Sequence, residues 1–252
     1  LRARPPLPLI RDQEVVQEQP DLRALTERYA EEATRFIRDN SDGPFFLYFA
    51  HMYVHLPLYA PEGLVKNSDN GDYGACVAGI DWVTEVLLNE LKLLGLDENT
   101  LVIFTSDNGS RLADQGGSNG ALRGRKGTTW EGGLRVPCIM RWPGRIPAGE
   151  VRSELASSID FFPTIAGLAG AEVPQDRIID GVDISSLMFT NEPSESPRSE
   201  FFYYVGDTIE AVRDGKWKLH VRKDTDAPIN ELYDLENDIS ETENLFDSQP
   251  EV

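Results

Sequence analysis

Two stretches decide the fold of this chain: Thr105-Ser106-Asp107-Asn108-Gly109, and Gly124-Arg125-Lys126-Gly127-Thr128-Thr129-Trp130-Glu131-Gly132-Gly133-Leu134-Arg135-Val136-Pro137. The first follows the apolar run Leu101–Phe104, which predicts a strand. In an open α/β sheet, ligands bind just beyond the carboxyl ends of strands. We therefore expect Asp107 and Asn108 to bring two oxygen donors to a functional site, although Asn-Gly is also a common turn dipeptide.

The composition indicates a large globular unit, alone or with a small second one. The chain has 252 residues, of which 40% are hydrophobic. Its formal net charge of −19 argues against nucleic acids and anionic membrane surfaces as partners. An anionic substrate must therefore be attracted by local positive charges. One candidate group consists of Arg123, Arg125, Lys126 and Arg135. The alternative is that these residues form an ordinary solvent-exposed basic face. No run of residues reaches transmembrane length.

The first half of the chain predicts a mostly parallel sheet flanked by helices. Apolar residues recur at helical spacing from Asp21 to Asn40, and again from Val77 to a helix end near Gly95. The apolar run Phe45–Ala50 predicts a strand buried on both faces, and Thr100–Thr105 predicts the next strand. This order of strand, helix and strand is the pattern of a parallel crossover, so we expect an α/β fold.

The other segments predict loops and a change of architecture. Residues 1–20 indicate an extended lead-in, 58–73 a polar loop and 107–135 a long loop of the functional site. We expect Asp160 to cap a helix that carries Pro163 in its first turn and ends near Gly170. Short strands separated by turn residues predict a small antiparallel sheet near the end: Phe201–Val205, Ile209–Arg213 and Trp217–Val221. The predicted domains are 1–199 and 200–252.

The two cysteines, Cys76 and Cys138, are each flanked by apolar residues. They are interpreted as small buried side chains, with a single bridge between them as the alternative. Two cysteines do not constitute a disulfide framework.

Four residues have side chains suited to chemistry on an anionic ester. Asp107 and Asn108 offer the oxygen donors that Ca²⁺ and Mg²⁺ prefer. Lys126 lies among glycines that let the backbone approach a ligand, and its ammonium group can bind a sulfate or phosphate oxygen. His55 can donate a proton or bind an oxygen, whereas as an isolated residue it would be an ordinary loop histidine. Of the other histidines, His51 is interpreted either as structural or as a residue that positions a site residue without contacting the ligand, and His220 receives no role.

The chain resembles the sulfatases, in particular the arylsulfatase A and steroid sulfatase branch. The matching pieces occur in family order over most of the chain: Phe45–Ala50, His55–Pro57, Thr105–Gly109, Gly116–Gly120, Lys126–Pro137, Arg141–Gly144, Asp160–Thr164, Arg177–Gly181 and Leu232–Glu236. Each piece alone is weak, but their combination and order are specific.

The resemblance implies an alkaline phosphatase-like α/β fold and a sulfuric ester hydrolase. It implies that Asp107 and Asn108 bind a divalent cation, Ca²⁺ or alternatively Mg²⁺, and that His55 and Lys126 are catalytic residues that contact the sulfate ester. The substrate would be a small-molecule or glycan sulfate ester. An extracytoplasmic protein is implied as well, whether lysosomal, secreted or periplasmic. Oligomeric state is not implied.

The family's nucleophile has no match in this sequence. Sulfatases use a formylglycine made from Cys or Ser in a Cys/Ser-x-Pro-Ser-Arg motif, and neither Cys76 nor Cys138 lies in such a context. The paired aspartates and the Lys-x-His pair of the family are also missing. We therefore expect the chain to be the C-terminal portion of a sulfatase, inactive alone, with formylglycine in the preceding part.

Two other readings are open. One is a phosphomonoesterase or phosphodiesterase of the same superfamily, although a two-zinc phosphatase would more often show an Asp-His pair. The other is a non-catalytic, sulfatase-derived module that binds sulfated glycans or a partner. Upstream sequence with the formylglycine motif would exclude this last reading.

Overall fold

The chain divides between Thr100 and Leu101 into two units. The computed structural model describes residues 6–111, 116–192, 194–221 and 229–252. The first unit consists of residues 6–100 with Gly116, and the second of the remaining described residues. The predicted domains 1–199 and 200–252 remain a prediction.

The first unit opens with a hairpin. Strand β1 (Pro8–Arg11) pairs antiparallel with β2 (Glu14–Glu18), and Asp12 in the turn has a positive φ of 55°. The predicted lead-in is therefore extended over much of its described part, but its pairing into a hairpin was not predicted. The strands are short, and every residue of β2 is exposed, so the alternating apolar pattern that identifies a half-buried strand is missing.

Both predicted helices of the first unit are confirmed. Helix α1 (Leu25–Asp39) buries one face, and α3 (Gly71–Leu93) buries Cys76 and Val83 among others. Gly95 follows α3 with a φ of 70°, a conformation that suits glycine at a helix end. The guanidinium group of Arg38 on α1 donates two hydrogen bonds to the Glu90 carboxylate on α3, over 2.6 and 2.7 Å.

Residues 58–73 are not an unbroken loop. They contain helix α2 (Glu62–Lys66) and the start of α3 at Gly71. Pro61 is the N-cap residue of α2, with backbone angles of φ −55° and ψ 139°. One helical turn is too short for the apolar periodicity that identified the longer helices.

The segment Phe45–Ala50 is not a strand of the described structure, so the prediction of a strand buried on both faces is wrong there. Its exposure alternates, with Phe45, Leu47 and Phe49 half-buried and the residues between them exposed. Phe45 and Phe49 meet α1 through edge-to-face contacts with Phe36 and Tyr29. The apolar run therefore covers a helix on one side and has no hydrogen-bonded strand partner in the described residues.

The predicted mostly parallel sheet is not confirmed. In the second unit, β3 (Val102–Thr105) pairs antiparallel with β4 (Cys138–Arg141), in a register that places Thr105 opposite Cys138. All strand pairs within the described residues are antiparallel. The apolar run over β3 indicated a strand, but the direction of its partner depends on residues far away in sequence.

The predicted three-stranded antiparallel sheet near the end of the chain is confirmed, and a fourth strand that was not predicted joins it. It is a meander of four strands in the order β5 (Glu200–Val205), β6 (Thr208–Asp214), β7 (Trp217–His220) and β8 (Glu231–Asp234). Gly206 and Gly215 have positive φ angles of 56° and 55° in the tight turns between strands. Two buried basic residues, Lys218 and His220, lie on β7.

Asp160 does not cap the helix that follows it. Helix α4 (Phe161–Leu168) has Pro163 in its first turn, as predicted, and Gly170 follows it with a φ of 73°. The fully buried Asp160 carboxylate instead accepts hydrogen bonds from the backbone N–H groups of Ser157 and Val182 and from Arg198. Val182 and Arg198 are 22 and 38 positions away, so the local sequence gave no sign of these two partners.

The cysteines are both unbridged. Cys76 is buried on α3, as predicted, and burial raises the pKa of its thiol to about 11. Cys138 is exposed at the start of β4, so its predicted burial is wrong. Among the described residues, no helix is long and apolar enough to cross a membrane.

Candidate active site

Strand β3 delivers Asp107 and Asn108 to the surface of the second unit. Asp107 is exposed and Asn108 is half-buried. The strand end is fixed to the opposite strand, because the Thr105 hydroxyl donates a hydrogen bond to the Pro137 carbonyl oxygen over 3.1 Å. The Ser106 hydroxyl donates to the Asn108 carbonyl oxygen over 3.1 Å, which folds the turn back on itself. Asp107 and Asn108 therefore lie on a turn that these two hydrogen bonds stabilise.

The turn of Asp107 and Asn108 is hydrogen-bonded to the glycine-rich stretch that carries Lys126. The backbone N–H of Lys126 donates to the Ser110 carbonyl oxygen, and that of Gly109 donates to the Gly133 carbonyl oxygen, each over 3.0 Å. A Cβ atom on Gly109 would lie 1.9 Å from the Gly132 carbonyl oxygen. The close approach of the two loops therefore requires glycine at position 109.

Asn119 fastens the same loops and was not identified from the sequence. Its amide oxygen accepts from the Ser110 backbone N–H over 2.7 Å. Its amide nitrogen donates to the carbonyl oxygens of Ser110 and Gly124, over 3.2 and 3.0 Å. Its position in the family-like piece Gly116–Gly120 was a signal, but an asparagine there could equally be a turn residue.

Lys126 is half-buried between two glycines, Gly124 and Gly127, whose φ angles of 82° and 84° favour glycine. Arg125 and Arg135 are exposed, as members of a cationic surface would be. Arg123 is engaged elsewhere: its guanidinium group stacks on the Trp130 ring at 3.5 Å and donates to the Tyr233 hydroxyl over 2.9 Å. We therefore assign Arg123 a structural role.

His55 lies in the first unit, on an exposed turn flanked by the cis peptide bonds Tyr53–Val54 and Leu56–Pro57. Its Nδ1 is 2.7 Å from the Leu56 carbonyl oxygen, which can only accept, so Nδ1 carries a proton. In the neutral ring, Nε2 is then the atom that can accept a proton or a hydrogen bond.

His51 has the contacts of a structural histidine. Its Nδ1 accepts from the Tyr53 backbone N–H over 3.0 Å, and its Nε2 lies 3.2 Å from the Thr26 hydroxyl oxygen. Burial lowers its pKa, which favours the neutral ring. Its interpretation as structural agrees with this geometry.

The structure thus brings Asp107, Asn108 and Lys126 together within the second unit, whereas His55 belongs to the first. Asp107 and Asn108 have the donor chemistry of a hard-cation site, a carboxylate and an amide oxygen. Two ligands do not complete such a site, because Ca²⁺ takes about six to eight oxygens. Within the described part of the chain, no group of three or more His, Cys, Asp or Glu side chains is placed to hold a metal ion.

Two family models match the chain. The model described as "Sulfatase" matches residues 7–171, and that described as "N-sulphoglucosamine sulphohydrolase, C-terminal" matches residues 125–251. Together these matches extend over both units.

Curated relatives are named sulfatases. N-acetylgalactosamine-6-sulfatase of Canis lupus familiaris is 44% identical over 233 residues, covering 87% of this chain and 44% of the relative. Steryl-sulfatase of Mus musculus is 42% identical over 212 residues, covering 81% and 34%. Arylsulfatase A of Bos taurus is 38% identical over 275 residues, covering 98% and 54%. The chain thus spans between about a third and just over half of the length of these relatives.

Solved structures show the same fold. The crystal structure of Ps i-CgsB superposes with a TM-score of 0.83 at 31% identity, covering 97% of this chain and 55% of that one. A sulfatase structure described as PsFucS1 from Pseudoalteromonas sp. gives a TM-score of 0.79 at 28% identity, covering 88% and 48%.

Proposed function

The chain belongs to the sulfatase family, and we propose that the protein of which it forms part hydrolyses sulfuric esters. One observation carries the proposal beyond family membership. The turn of Asp107 and Asn108 is hydrogen-bonded to the loop that carries Lys126. Two oxygen donors and the lysine side chain therefore lie on one surface that hydrogen bonds hold together. A site for a metal-assisted reaction on an anionic ester needs this combination.

Lys126 is the proposed ligand of the sulfate group. Its ammonium group is a compact positive charge that can bind one sulfate oxygen. The chain is strongly acidic, so the local charge at Lys126 has to overcome the unfavourable field of these 252 residues. The hydrogen bond from the Lys126 backbone N–H to the Ser110 carbonyl oxygen fixes the backbone from which this side chain extends.

His55 is the proposed partner of the leaving group. With Nδ1 bonded to the Leu56 carbonyl oxygen, the ring presents Nε2 to a substrate. From there, an imidazolium form can donate its Nε2 proton to the alkoxide oxygen as the sulfate ester bond breaks. We propose that His55, Asp107, Asn108 and Lys126 meet around one sulfate group in the complete protein.

Asp107 and Asn108 are the proposed ligands that this chain offers to a divalent cation, Ca²⁺ or alternatively Mg²⁺. When bound, such a cation would offset the negative charge of the sulfate oxygens. The 252 residues contain no Cys/Ser-x-Pro-Ser-Arg motif. Under the proposal, the formylglycine nucleophile and the other metal ligands therefore come from elsewhere in the protein, and residues 1–252 do not turn over substrate alone.

The proposed substrates are small-molecule or glycan sulfate esters. One similar structure is described as a complex with its substrate D-glucosamine-2-N,6-O-disulfate, at a TM-score of 0.55 and 28% identity. The relatives named steryl-sulfatase indicate that non-carbohydrate esters also occur in the family. We propose an extracytoplasmic location on the basis of the family.

A second candidate is hydrolysis of phosphorus esters. A phosphonate monoester hydrolase of Agrobacterium radiobacter superposes with a TM-score of 0.50 at 28% identity, covering 69% of this chain. The sulfatase structures superpose over a larger share of the chain with higher scores. We therefore rank sulfate esters first.

The test compares an aryl sulfate with an aryl phosphonate as substrates of the complete protein, and includes residues 1–252 produced alone. We expect the complete protein to prefer the sulfate, and residues 1–252 to remain at background. Lys126→Ala should lower kcat/KM for the sulfate, whereas Lys66→Ala, at an exposed lysine of α2, should not. Preference for the phosphonate would favour the second candidate, and robust turnover by residues 1–252 would show that the nucleophile lies within them.

A further inference from the structure

The second unit contains a buried ionic cluster that the proposed function does not use. Lys218 on β7 is fully buried, and its Nζ lies 2.8 Å from Glu131 Oε1 and 2.8 Å from Glu241 Oε1. Both carboxylates are buried as well. One ammonium group thus joins the glycine-rich stretch to a segment near the end of the chain.

Glu131 is held through both its side chain and its backbone. The Tyr203 hydroxyl donates to Glu131 Oε1 over 3.0 Å, and Arg213 Nη1 lies 4.0 Å from Glu131 Oε2. The Glu131 backbone N–H donates to Glu241 Oε2 over 2.8 Å. Burial raises the pKa of Tyr203 far above its usual value, so its hydroxyl remains a donor. Glu131 therefore has partners at both carboxylate oxygens and at its backbone N–H.

Stacked rings continue the cluster towards the Lys126 loop. His220 lies beside Trp130 with a ring separation of 3.9 Å, and its Nε2 is 3.3 Å from Glu241 Oε1. Arg123 covers the Trp130 ring and donates to the Glu241 carbonyl oxygen over 2.8 Å. Arg123 directly precedes Gly124, so these contacts fix the point where the Lys126 loop begins.

Gly132 and Gly133, which follow Glu131 in the sequence, contact both loops of the candidate site. The backbone N–H of Gly132 donates to the Arg123 carbonyl oxygen over 2.7 Å, and the Gly133 carbonyl oxygen accepts from Gly109 over 3.0 Å. A Cβ atom on Gly132 would lie 2.6 Å from the Arg123 carbonyl oxygen, and one on Gly133 would lie 2.1 Å from the Thr128 carbonyl oxygen. With so little clearance, a shift of Glu131 must move the loops that touch these glycines.

Stability alone does not account for such a cluster. Removing charges from water is costly, and well-packed apolar residues in place of a buried ion pair are often neutral or stabilising. An ionic cluster differs from an apolar one in its directionality, because hydrogen-bond geometry permits few arrangements. Directionality is of use where a neighbouring loop must be placed accurately.

We propose that Lys218, Glu131 and Glu241 are positioning residues, which place the Lys126 loop and the Asp107-Asn108 turn for reaction with a sulfate ester. The inference deepens the proposed function and rests on it for the reaction. It acts through Gly132 and Gly133, since none of the three charged side chains is exposed to a substrate. These three residues are therefore expected to affect the reaction rate only through the placement of the two loops.

The test uses the complete protein with the double substitution Lys218→Met/Glu131→Gln. This change leaves the net charge of the three side chains unaltered and nearly preserves their volumes, so folding is expected. We expect kcat/KM for an aryl sulfate to fall by about 100-fold, as for reacting groups misplaced by about 1 Å. The matched control is Lys216→Met just before β7, which removes a half-exposed ammonium group that pairs with the buried Asp234. The control should keep its activity.

Hydrogen exchange separates positioning from a general loss of stability. In the double variant, the amides of Gly109 and Lys126 should exchange faster, while those of β5 to β8 should be unchanged. Activity within twofold of the wild type, or unchanged exchange at Gly109 and Lys126, would overturn the proposal. Equal acceleration throughout the sheet and the loops would overturn it as well, because it would show a merely structural role.

Two further measurements apply if the double variant does not fold or if the protein cleaves no sulfate ester. If the double variant does not fold, Tyr203→Phe removes one hydroxyl from Glu131 and should produce a smaller change at the same two amides. If the wild-type protein cleaves no sulfate ester, the proposed function fails, yet exchange still decides whether the cluster positions the loops. Unchanged loop amides in Tyr203→Phe would then count against the cluster.

Discussion

The backbone N–H of Lys126 donates a hydrogen bond to the Ser110 carbonyl oxygen over 3.0 Å. The two residues are separated by a polar, glycine-rich loop in the sequence, yet this bond fixes the lysine against the turn of Asp107 and Asn108. This hydrogen bond therefore helps to place Asp107, Asn108 and Lys126 on one surface.

The first prediction is positional. A crystal structure of the complete protein with bound sulfate should show His55, Asp107, Asn108 and Lys126 around that ion. The reason is that a proton donor, a cation and a metal site must all lie near the reacting ester. His55 far from Lys126 in such a structure would contradict the assignment of the proton donor.

The second prediction concerns the metal. Asp107→Ala in the complete protein should lower kcat/KM by about 100-fold or more, because a metal ion contributes several kcal/mol of charge stabilisation. Excess Ca²⁺ should restore only part of the activity. Asp247→Ala, which removes an exposed carboxylate near the end of the chain, is the control and should have no effect. Calcium affinity measured by calorimetry should fall with the activity; an unchanged affinity would mean that Asp107 is not a ligand.

The third prediction concerns Gly109. Gly109→Ala should destabilise the second unit by about 1–3 kcal/mol, as overpacking does, because its Cβ atom would lie 1.9 Å from the Gly132 carbonyl oxygen. The measurement is the urea midpoint at constant m value. Gly63→Ala in α2, where no atom lies within 4 Å of a new Cβ, should leave the midpoint equal or higher. Equal effects of the two substitutions would contradict the close approach.

The fourth prediction concerns acid stability. The hydrogen bond from Arg38 lowers the pKa of Glu90 in the folded state. A carboxyl group with a lowered pKa stabilises the fold above its unfolded pKa of about 4.3, and the stabilisation is lost as pH falls through the folded value. Glu90→Gln should therefore lower Tm at pH 7 and lose most of this deficit well below about pH 4.3.

The control for this measurement is Glu62→Gln, at an exposed glutamate 3.8 Å from Lys66. An exposed pair of this kind contributes little, about 0–1 kcal/mol, so its Tm should follow the wild type at each pH. A deficit of Glu90→Gln that does not depend on pH would indicate a loss of packing instead of a loss of the ion pair.

Helices with strong periodicity could be predicted from the sequence because their signal is local. Spacing identified α1 and α3, and turn residues identified the antiparallel strands near the end. The segment Phe45–Ala50 shows the limit of this reasoning. Apolar content indicated burial, but hydrogen-bonded partners make a strand, and composition carries no information about them.

The candidate site could be predicted in part. Asp107, Asn108 and Lys126 were identified from the strand, the glycines and the family resemblance, and their roles remain predictions. Asn119 and the cluster of Lys218, Glu131 and Glu241 were not identified. A lysine or glutamate in a sequence is most often a surface residue, so its type gave no sign of burial.

The sequence by itself determined the family, the two long helices and the glycine-rich loops, because motifs and periodicity lie within neighbouring residues. The tertiary structure alone decided that β3 and β4 run antiparallel and that Glu131 meets Lys218 and Glu241. Glu131 and Glu241 are 110 positions apart. Such pairs form when distant segments bury their charges together, and that depends on the folded packing of the whole unit.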